Sequence, residues 1–308
     1  MERKIVRFFW VAAIVIFILV IGGKVLQGFL SNHSRAVFLP NPKLFDQTLS
    51  ELVVEKSGEK IVFTKKGDTW ALSAPENYPA DGSQVQQVID SLKSASLEDH
   101  LSSRKEKFKD FGLEGEEVIA FSAKDGTGRM LLHGFLGKQM VGQWDSVYYR
   151  GDGSDDIYVL KGLNRYLFER NSKDFRSKLI LEAPKDKISK VELVYSKGSP
   201  VLLVRDGVSW KMGSKAAKEE KVNEILGAIQ RLEANDFAPT LELAQGAKKL
   251  GFEPKAKTMT VKISLSDGKV FELLIGDKKD SFYYAKLKDQ PAVWKLVEWK
   301  VKPLLPTS

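Results

Sequence analysis

Two stretches of the sequence, FGLEGEEVIAFSAKDG at residues 111–126 and LGFEPKAKTMTVKISLSDG at residues 250–268, share one layout. Each opens with an apolar residue, a glycine, an apolar residue and a glutamate. Each then continues with alternating apolar and polar residues and ends in Asp-Gly. Alternation with a period of two is typical of a strand with one buried face, and Asp-Gly is a favoured hairpin turn. The same local structure is therefore predicted twice in one chain.

Other pieces of sequence recur around these stretches in the same order. The members of each pair are separated by 140, 139, 137 and 135 residues for the tryptophans, the glycines, the amphipathic segments and the tyrosines, respectively. Such a small drift is expected when a duplicated unit changes length only in its surface loops. The pairs are Trp70 with Trp210, Gly112 with Gly251, the set Val85, Val88, Ile89 and Leu92 with the set Val222, Ile225, Leu226 and Ile229, and Tyr148–Tyr149 with Tyr283–Tyr284.

This repeat predicts an α+β protein made of two similar units. In each unit about three short strands precede one helix and about four strands follow it, which favours an antiparallel sheet with a helix packed on one face. The predicted organisation is residues 1–7 as a cytoplasmic N-terminus, 8–30 as a transmembrane anchor, 31–48 as a linker, 49–162 as the first α+β repeat, 163–187 as a helical connector and 188–308 as the second α+β repeat.

The N-terminal segment carries the membrane prediction. Three cations precede an uncharged run over residues 8–23. Sixteen helical residues span about 24 Å, and residues 25–30 extend the helix toward the roughly 30 Å of a bilayer core. A cleaved signal peptide is the competing interpretation, but the sequence VIGGK matches a cleavage site poorly. The distribution of cations favours a cytoplasmic N-terminus, with the rest of the chain on the far side of the membrane.

Composition excludes several classes of function. The chain has 308 residues and a net charge of +8, and it contains no cysteine, so disulfides, thiolate nucleophiles and cysteine-bound metals are impossible. Its lysines alternate with acidic residues, and no basic stripe with interleaved aromatic residues occurs, so a nucleic-acid partner is not expected. A modestly basic surface is compatible with an anionic bilayer or envelope polymer.

No motif predicts a reaction. The three histidines, His33, His100 and His133, lack metal-ligand spacing, and the chain has no GxSxG, GxGxxG or GxxxxGK[ST] motif. Asp152, Asp155 and Asp156 fit a solvated turn better than a calcium loop. We therefore predict no catalytic, cofactor-binding or metal-binding residues, no cofactor and no enzymatic activity.

The remaining candidate residues each have a structural interpretation. The two tryptophans are expected in the core, Gly112 and Gly251 in turns with positive φ, and Asp81 or Ser83 at a helix N-cap. One tyrosine of each pair is expected to face the core and the other to face outward, where it could stack on a sugar. The matched glutamates Glu114 and Glu253 leave open a hydrolase whose carboxylates meet only in three dimensions.

Taken together, the motifs resemble a known family, domain of unknown function 4340. The carriers of the resemblance are GDTWALSAPENYPADGSQVQQVIDSL, FGLE, FLGK, SVYYR with DIYVL, LIGDK and FYYAKL, while the second copy lacks the Pro-Ala-Asp element. The resemblance implies a bacterial envelope protein with an N-terminal membrane helix and repeated α+β units, whose relatives are often encoded beside ABC-transporter components. It implies no catalytic residues.

The expected function is that of a non-enzymatic, single-pass protein of the bacterial inner membrane. Its N-terminus is expected in the cytoplasm and its bulk in the periplasm, where the tandem units act as a binding or scaffold component of an envelope complex associated with an ABC transporter. Tethering to the membrane raises the effective concentration of the units for a membrane-bound partner. The alternative is a carbohydrate- or peptidoglycan-binding module.

Overall fold

The computed structural model describes residue 38 and residues 42–238, 246, 249–252 and 259–306. The chain divides into two compact units, the first ending at Ser177 and the second beginning at Lys178. In the described residues both units are mostly β-sheet with few helices. Each unit is described below by itself.

The first unit contains nine strands and three α-helices among its described residues. The strands are β1 (Leu49–Lys56), β2 (Glu59–Lys66), β3 (Thr69–Ala74), β4 (Tyr78–Pro79), β5 (Ser96–Ser102), β6 (Ile119–Asp125), β7 (Met130–Gln139), β8 (Ser146–Gly151) and β9 (Ile157–Lys161). The helices are α1 (Pro42–Thr48), α2 (Gly82–Ser94) and α3 (Tyr166–Glu169), with 3-10 turns at Lys105–Lys107, Gly115–Glu117 and Ser172–Phe175.

These strands form one antiparallel sheet in the order β4-β3-β2-β1-β6-β7-β8-β9-β5. Alternate residues of β6, among them Ile119, Phe121 and Ala123, are buried, as expected for a sheet with one face on a core. We call the face that packs on α2 the core face and the opposite one the outward face. Because β5 follows α2 and pairs with β9, the helix links the two halves of the sheet.

Helix α2 forms where the sequence changes from a period of two to a period of 3.6. Its four apolar residues Val85, Val88, Ile89 and Leu92 are all buried, and each contributes about 2 kcal/mol by leaving water. The carboxylate of Asp81 accepts hydrogen bonds from the backbone N–H groups of residues 83 and 84. Asp81, rather than Ser83, is therefore the N-cap.

The second unit has eleven strands and two α-helices in its described part. The strands are β10 (Leu179–Glu182), β11 (Ile188–Val194), β12 (Val201–Asp206), β13 (Ser209–Met212), β14 (Lys215–Ala216), β15 (Arg231–Glu233), β16 (Asp236–Phe237), β17 (Met259–Leu265), β18 (Val270–Lys279), β19 (Phe282–Leu287) and β20 (Trp294–Val297). The helices are α4 (Glu219–Ile229) and α5 (Glu298–Val301), followed by a 3-10 turn at Lys302–Leu304.

The large sheet of the second unit repeats the order of the first. It runs β14-β13-β12-β11-β17-β18-β19-β20-β16, which corresponds strand for strand to the first sheet. One difference follows the helix: β5 is a single strand, whereas the second unit places β15 against β10 and only β16 against β20. Trp70 and Trp210 are both buried, and each backbone C=O accepts from the residue two before its helix, Ala80 at 3.0 Å and Ala217 at 2.8 Å.

The structure confirms the predicted antiparallel sheets, and the share of helix is smaller than an α+β interpretation suggests. Over residues 163–187, predicted as a helical connector, it has only α3 and one 3-10 turn, and Leu179–Glu182 is a strand. The apolar run Leu-Ile-Leu favours a strand once a partner edge, β15, is present. No helix of the described residues is long and apolar enough to cross a membrane. The predicted anchor at residues 8–30 lies outside those residues.

Candidate binding surface

The outward face of the first sheet is open over β2, β1, β6 and β7. A shallow groove of about 400 Å³ follows this face, and its floor is a cross-strand row of Val62, Val53, Ser122 and His133. The neighbouring row holds an ion pair in which Lys124 Nζ lies 2.7 Å from a carboxylate oxygen of Glu51. This surface is mixed in polarity, as expected for a solvated sheet face.

The same face of the second sheet is more apolar. Val194, Leu202 and Val204 project from β11 and β12 with 37%, 36% and 40% of their surface exposed. Leu202 lies across from Glu192, and Val204 lies across from Lys190, so charged side chains border the apolar ones. We call these three residues the second-sheet patch. Their equivalents in the first unit, by strand register, are Glu55, Val62 and Thr64.

The other half of the first outward face is covered by the repeated FGLE segment. The backbone C=O of Phe111 accepts a hydrogen bond from the N–H of Lys138 at 2.9 Å. In the second unit the C=O of Leu250 accepts from the N–H of Asp277 at 3.0 Å. The repeated motif is therefore a backbone clamp that holds a loop against the sheet.

Glycines make this clamp possible in both units. A Cβ atom on Gly137 would lie 2.2 Å from the C=O oxygen of Phe111, and one on Gly276 would lie 2.0 Å from that of Leu250. Gly112 and Gly251, in the loop, have φ angles of +67° and +77°, which favour glycine. The glycines of FGLE, LGFE, FLGK and LIGDK thus have a structural role, as predicted.

Cationic side chains stack under each clamp. The Arg150 guanidinium carbon lies 3.7 Å from the ring centre of Phe135 and 4.8 Å from that of Phe108. Burial lowers the pKa of Arg150, and its Nε is buried with no hydrogen-bond partner in the described structure. In the second unit Lys286 lies 5.8 Å from the ring of Phe252. These contacts favour packing over catalysis.

The tyrosines occupy unexpected positions. Tyr149 is buried on the core face, and Tyr148 is half-buried on the outward face with its ring 4.7 Å from Phe111. The register of β18 and β19 makes Tyr284, not Tyr283, the equivalent of Tyr148. Ala285 takes the place of Tyr149, so the spacing of 135 residues between tyrosine pairs is wrong by one: equivalent positions lie 136 apart. A slip of one residue exchanges the two faces of a strand.

One cluster contains the residue types of a hydrolytic triad. His100 Nε2 lies 3.2 Å from Asp156 Oδ1 and 3.1 Å from Ser103 Oγ, while Ser103 also donates to Asp156 at 2.5 Å. Serine and aspartate therefore meet the same imidazole nitrogen, whereas a triad uses one nitrogen for each. The Ser103 hydroxyl, followed by His100, lowers the pKa of Asp156. The cluster orders the loop before β9.

The other acidic candidates do not converge. Asp152 pairs with His133 at 2.9 Å, away from the partners of Asp156. Across the described residues no group of three histidine or acidic side chains is close enough to hold a metal ion. Glu114 is exposed at the clamp, and Glu253 lies outside the described residues.

The largest groove described, about 750 Å³, lies in the second unit beside α4. Trp210, Val222 and Leu226 provide its apolar walls. Arg205 lies at its edge, 4.9 Å from the Trp210 ring, and donates to the backbone C=O groups of residues 185 and 188. Because these donors are already used, the groove does not present a free guanidinium.

Comparison with known proteins now adds one finding. The model of the family described as Domain of unknown function (DUF4340) matches residues 70–246. The chain belongs to this family. The DUF4340 match begins at Trp70 in β3, crosses the boundary at residue 177 and includes α4. It therefore covers both clusters of buried tryptophan and helix described above. Neither curated proteins nor solved structures gave a match.

Sequence reasoning missed the DUF4340 chain's most exposed apolar groups. The second-sheet patch lies in VLLVRD, where apolar residues occupy both faces of β12, so no alternation distinguishes buried Leu203 from exposed Leu202 and Val204. Trp144 and Trp299 have 79% and 69% of their surface exposed. Their only sequence signal is an indole beside polar residues, in QWD and EWK.

Proposed function

We propose that this protein is a non-enzymatic, single-pass membrane protein whose two units act as a binding or scaffold component of an envelope complex. The observation that carries the proposal is the second-sheet patch of Val194, Leu202 and Val204. Three aliphatic side chains lie exposed and adjacent on a sheet face, within a border of charged residues.

An apolar centre with a charged rim is the usual composition of a protein interface. Leu202 and Val204 are two residues apart on β12 and point the same way, and Val194 is diagonal to Leu202 through the pair Glu192–Leu202. Since a face of the sheet rather than a cleft presents these groups, a protein surface fits them better than a small molecule.

The location and partner rest on the sequence. The cationic flank and the uncharged run of residues 8–23 support an anchor in the bacterial inner membrane, with a cytoplasmic N-terminus and a periplasmic bulk. Resemblance to relatives encoded beside ABC-transporter components makes a transporter subunit the first partner to test.

The patch can be tested by photo-crosslinking in native membranes. A photo-reactive amino acid in place of Val194 is expected to form an adduct with a transporter or other envelope protein, identified by mass spectrometry. Adding Leu202→Lys is expected to reduce the adduct at least tenfold, because a lysine leaves an unpaired charge in the apolar centre.

Val270→Lys is the matched control. Val270 has 59% of its surface exposed on the same sheet but lies on β18, away from the patch. It is expected to leave the adduct unchanged. Equal yields from the wild type and Leu202→Lys, or no protein adduct from position 194, would reject the patch as the interface.

A groove beside Trp299 favours the carbohydrate-binding alternative. This groove of about 400 Å³ combines the exposed indole with Glu224, Arg231 and Glu233, and sugars bind where an aromatic face lies beside hydrogen-bonding groups. The tyrosine pairs do not support the alternative, because Tyr149 and Tyr284 are buried.

Sedimentation with purified peptidoglycan tests this alternative. If it is correct, the intact protein is retained and Trp299→Ala reduces retention at least tenfold, since stacking is lost. Trp144→Ala, which removes the other exposed indole, is the control and leaves retention unchanged. An intact protein that stays in the supernatant ends the alternative.

A further inference from the structure

The hairpin between β7 and β8 differs sharply from its equivalent in the second unit. In the first unit six residues, 140–145, connect the strands, and Val141 and Trp144 have 99% and 79% of their surface exposed. In the second unit only Asp280 and Ser281 connect β18 to β19. The duplication therefore has an apolar tip on one copy and a short polar turn on the other.

The tip is an ordered structure, held by its own hydrogen bonds. The N–H of Met140 donates to the C=O of Ser146 at 2.8 Å, and the N–H of Ser146 donates to the C=O of Gln143 at 3.3 Å. The Gln139 side-chain amide donates to the C=O groups of Gln143 and Ser146, both at 2.8 Å. Gly142, with φ of +78°, allows the reversal.

We propose that this hairpin tip inserts into the interface of a lipid bilayer. The inference rests on the proposed membrane anchoring. Residues 139–144 carry no charge, and the nearest charged residues, Lys138 and Asp145, lie on opposite sides of the tip in the sequence. An uncharged, convex tip with an indole at its base matches the preference of tryptophan for the membrane–water interface.

The hydrogen bonds of the tip also fit a lipid environment. Backbone polar groups that enter a bilayer must be satisfied within the protein. The C=O groups of Met140, Gln143 and Ser146 already accept hydrogen bonds, and the C=O of Asp145 accepts from the N–H of Gly162 at 2.7 Å. A convex tip offers no concave site for a sugar, and a pocket on a protein partner is the competing occupant.

Weak insertion is sufficient in a tethered protein. A single lipid-binding element gives only marginal and reversible membrane association, and stable association takes two. The anchor would be the first element and the tip the second. The tip would then hold the first unit at the membrane surface and leave the second-sheet patch available to a partner.

The absence of cysteine allows a specific probe. A fluorophore sensitive to polarity, attached to Val141→Cys, is the sole labelled site of the full chain. With phosphatidylcholine vesicles at saturating lipid, the dye at position 141 is expected to shift to the blue and to lose at least three-fold in iodide quenching. Ser281→Cys, on the equivalent turn of the second unit, is the matched control and remains fully quenched.

Trp144→Ser in the Val141→Cys background is expected to restore quenching by more than half. Equal quenching at positions 141 and 281, or protection of position 141 by a soluble protein or by peptidoglycan and not by vesicles, overturns the proposal. Anchoring is measured separately by carbonate extraction of the vesicles, and the scaffold function by the adduct at position 194. A tip that inserts without an anchor still shields the dye at saturating lipid.

Discussion

The two units share a backbone plan and differ in what they present to their surroundings. Both contain the clamp in which a loop C=O accepts from a strand N–H beside a glycine, at Phe111 with Gly137 and at Leu250 with Gly276. Only the first has an apolar hairpin tip, and only the second has an apolar patch on its sheet. The contrast shows that duplication kept the contacts that fix the strand order and left the surfaces free to diverge.

The cores also diverged by exchange of volume. In the first unit the ring of Tyr149 covers Gly134, where an added Cβ would lie 2.5 Å from a ring carbon. In the second unit the equivalent positions hold Ala285 and Leu273, both fully buried. A large residue beside a small one became a small residue beside a large one, which keeps the packing density of the core nearly constant.

The largest expected effect concerns the shared clamp. Gly137→Ala and Gly276→Ala are each expected to cost about 3 kcal/mol, because the methyl group meets a backbone oxygen that cannot move without breaking the clamp. Urea denaturation measures the loss. Gly227→Ala in α4 has open space around its Cβ and is expected to gain up to about 1 kcal/mol. If only one of the two clamp variants is destabilised, the clamps are not equivalent.

The next effect separates the cores. Burial raises the pKa of Tyr149 to about 12, above the usual value near 10. The folded state thus prefers the neutral phenol, and this stability is complete below pH 10 and is lost as the pH rises from 10 to 12. Between pH 9 and 11 the wild type is expected to lose about 1.4 kcal/mol more than Tyr149→Phe. Parallel losses in urea denaturation at the two pH values would contradict this burial.

The smallest effect concerns the start of the two main helices. Asp81 caps α2, whereas Lys218, the equivalent residue before α4, makes no side-chain cap. Asp81→Ala is expected to cost about 1 kcal/mol, and Lys218→Ser is expected to gain about 0.5 kcal/mol. Hydrogen exchange of the amides in residues 82–94 and 219–229 reports each helix separately. A gain from Lys218→Ala equal to that from Lys218→Ser would show that removal of the cation, rather than a cap, is responsible.

Sequence reasoning reached the repeated helix and most strands because their burial follows a simple period. The strand β5 was missed: as the edge of the sheet, Ser96–Ser102 has a mixed pattern of exposure and reads as a continuation of α2. The tyrosine register was missed because the β7–β8 hairpin is longer than its equivalent. Across it the spacing of equivalent positions falls from 139 residues, for Gly137 and Gly276, to 136.

The candidate surfaces were harder to predict than the core. Leu202 and Val204 satisfy the same local preference as a buried strand, and only the position of the helix on the other face leaves them exposed. Asp81, by contrast, was identified because a cap depends on four consecutive residues. Local contacts can be inferred from sequence, and exposure depends on what the rest of the chain covers.

The strand order has a consequence for how the protein matures. In both sheets the first strand pairs with one that the ribosome adds much later, as in Val54 with Phe121 and Leu193 with Val261. Until those partners emerge, β1 and β11 keep one edge without a mate. Pairings so distant in the chain slow folding and prolong exposure to aggregation. A chain exported through a narrow channel would therefore depend on a chaperone that shields these edges during its passage.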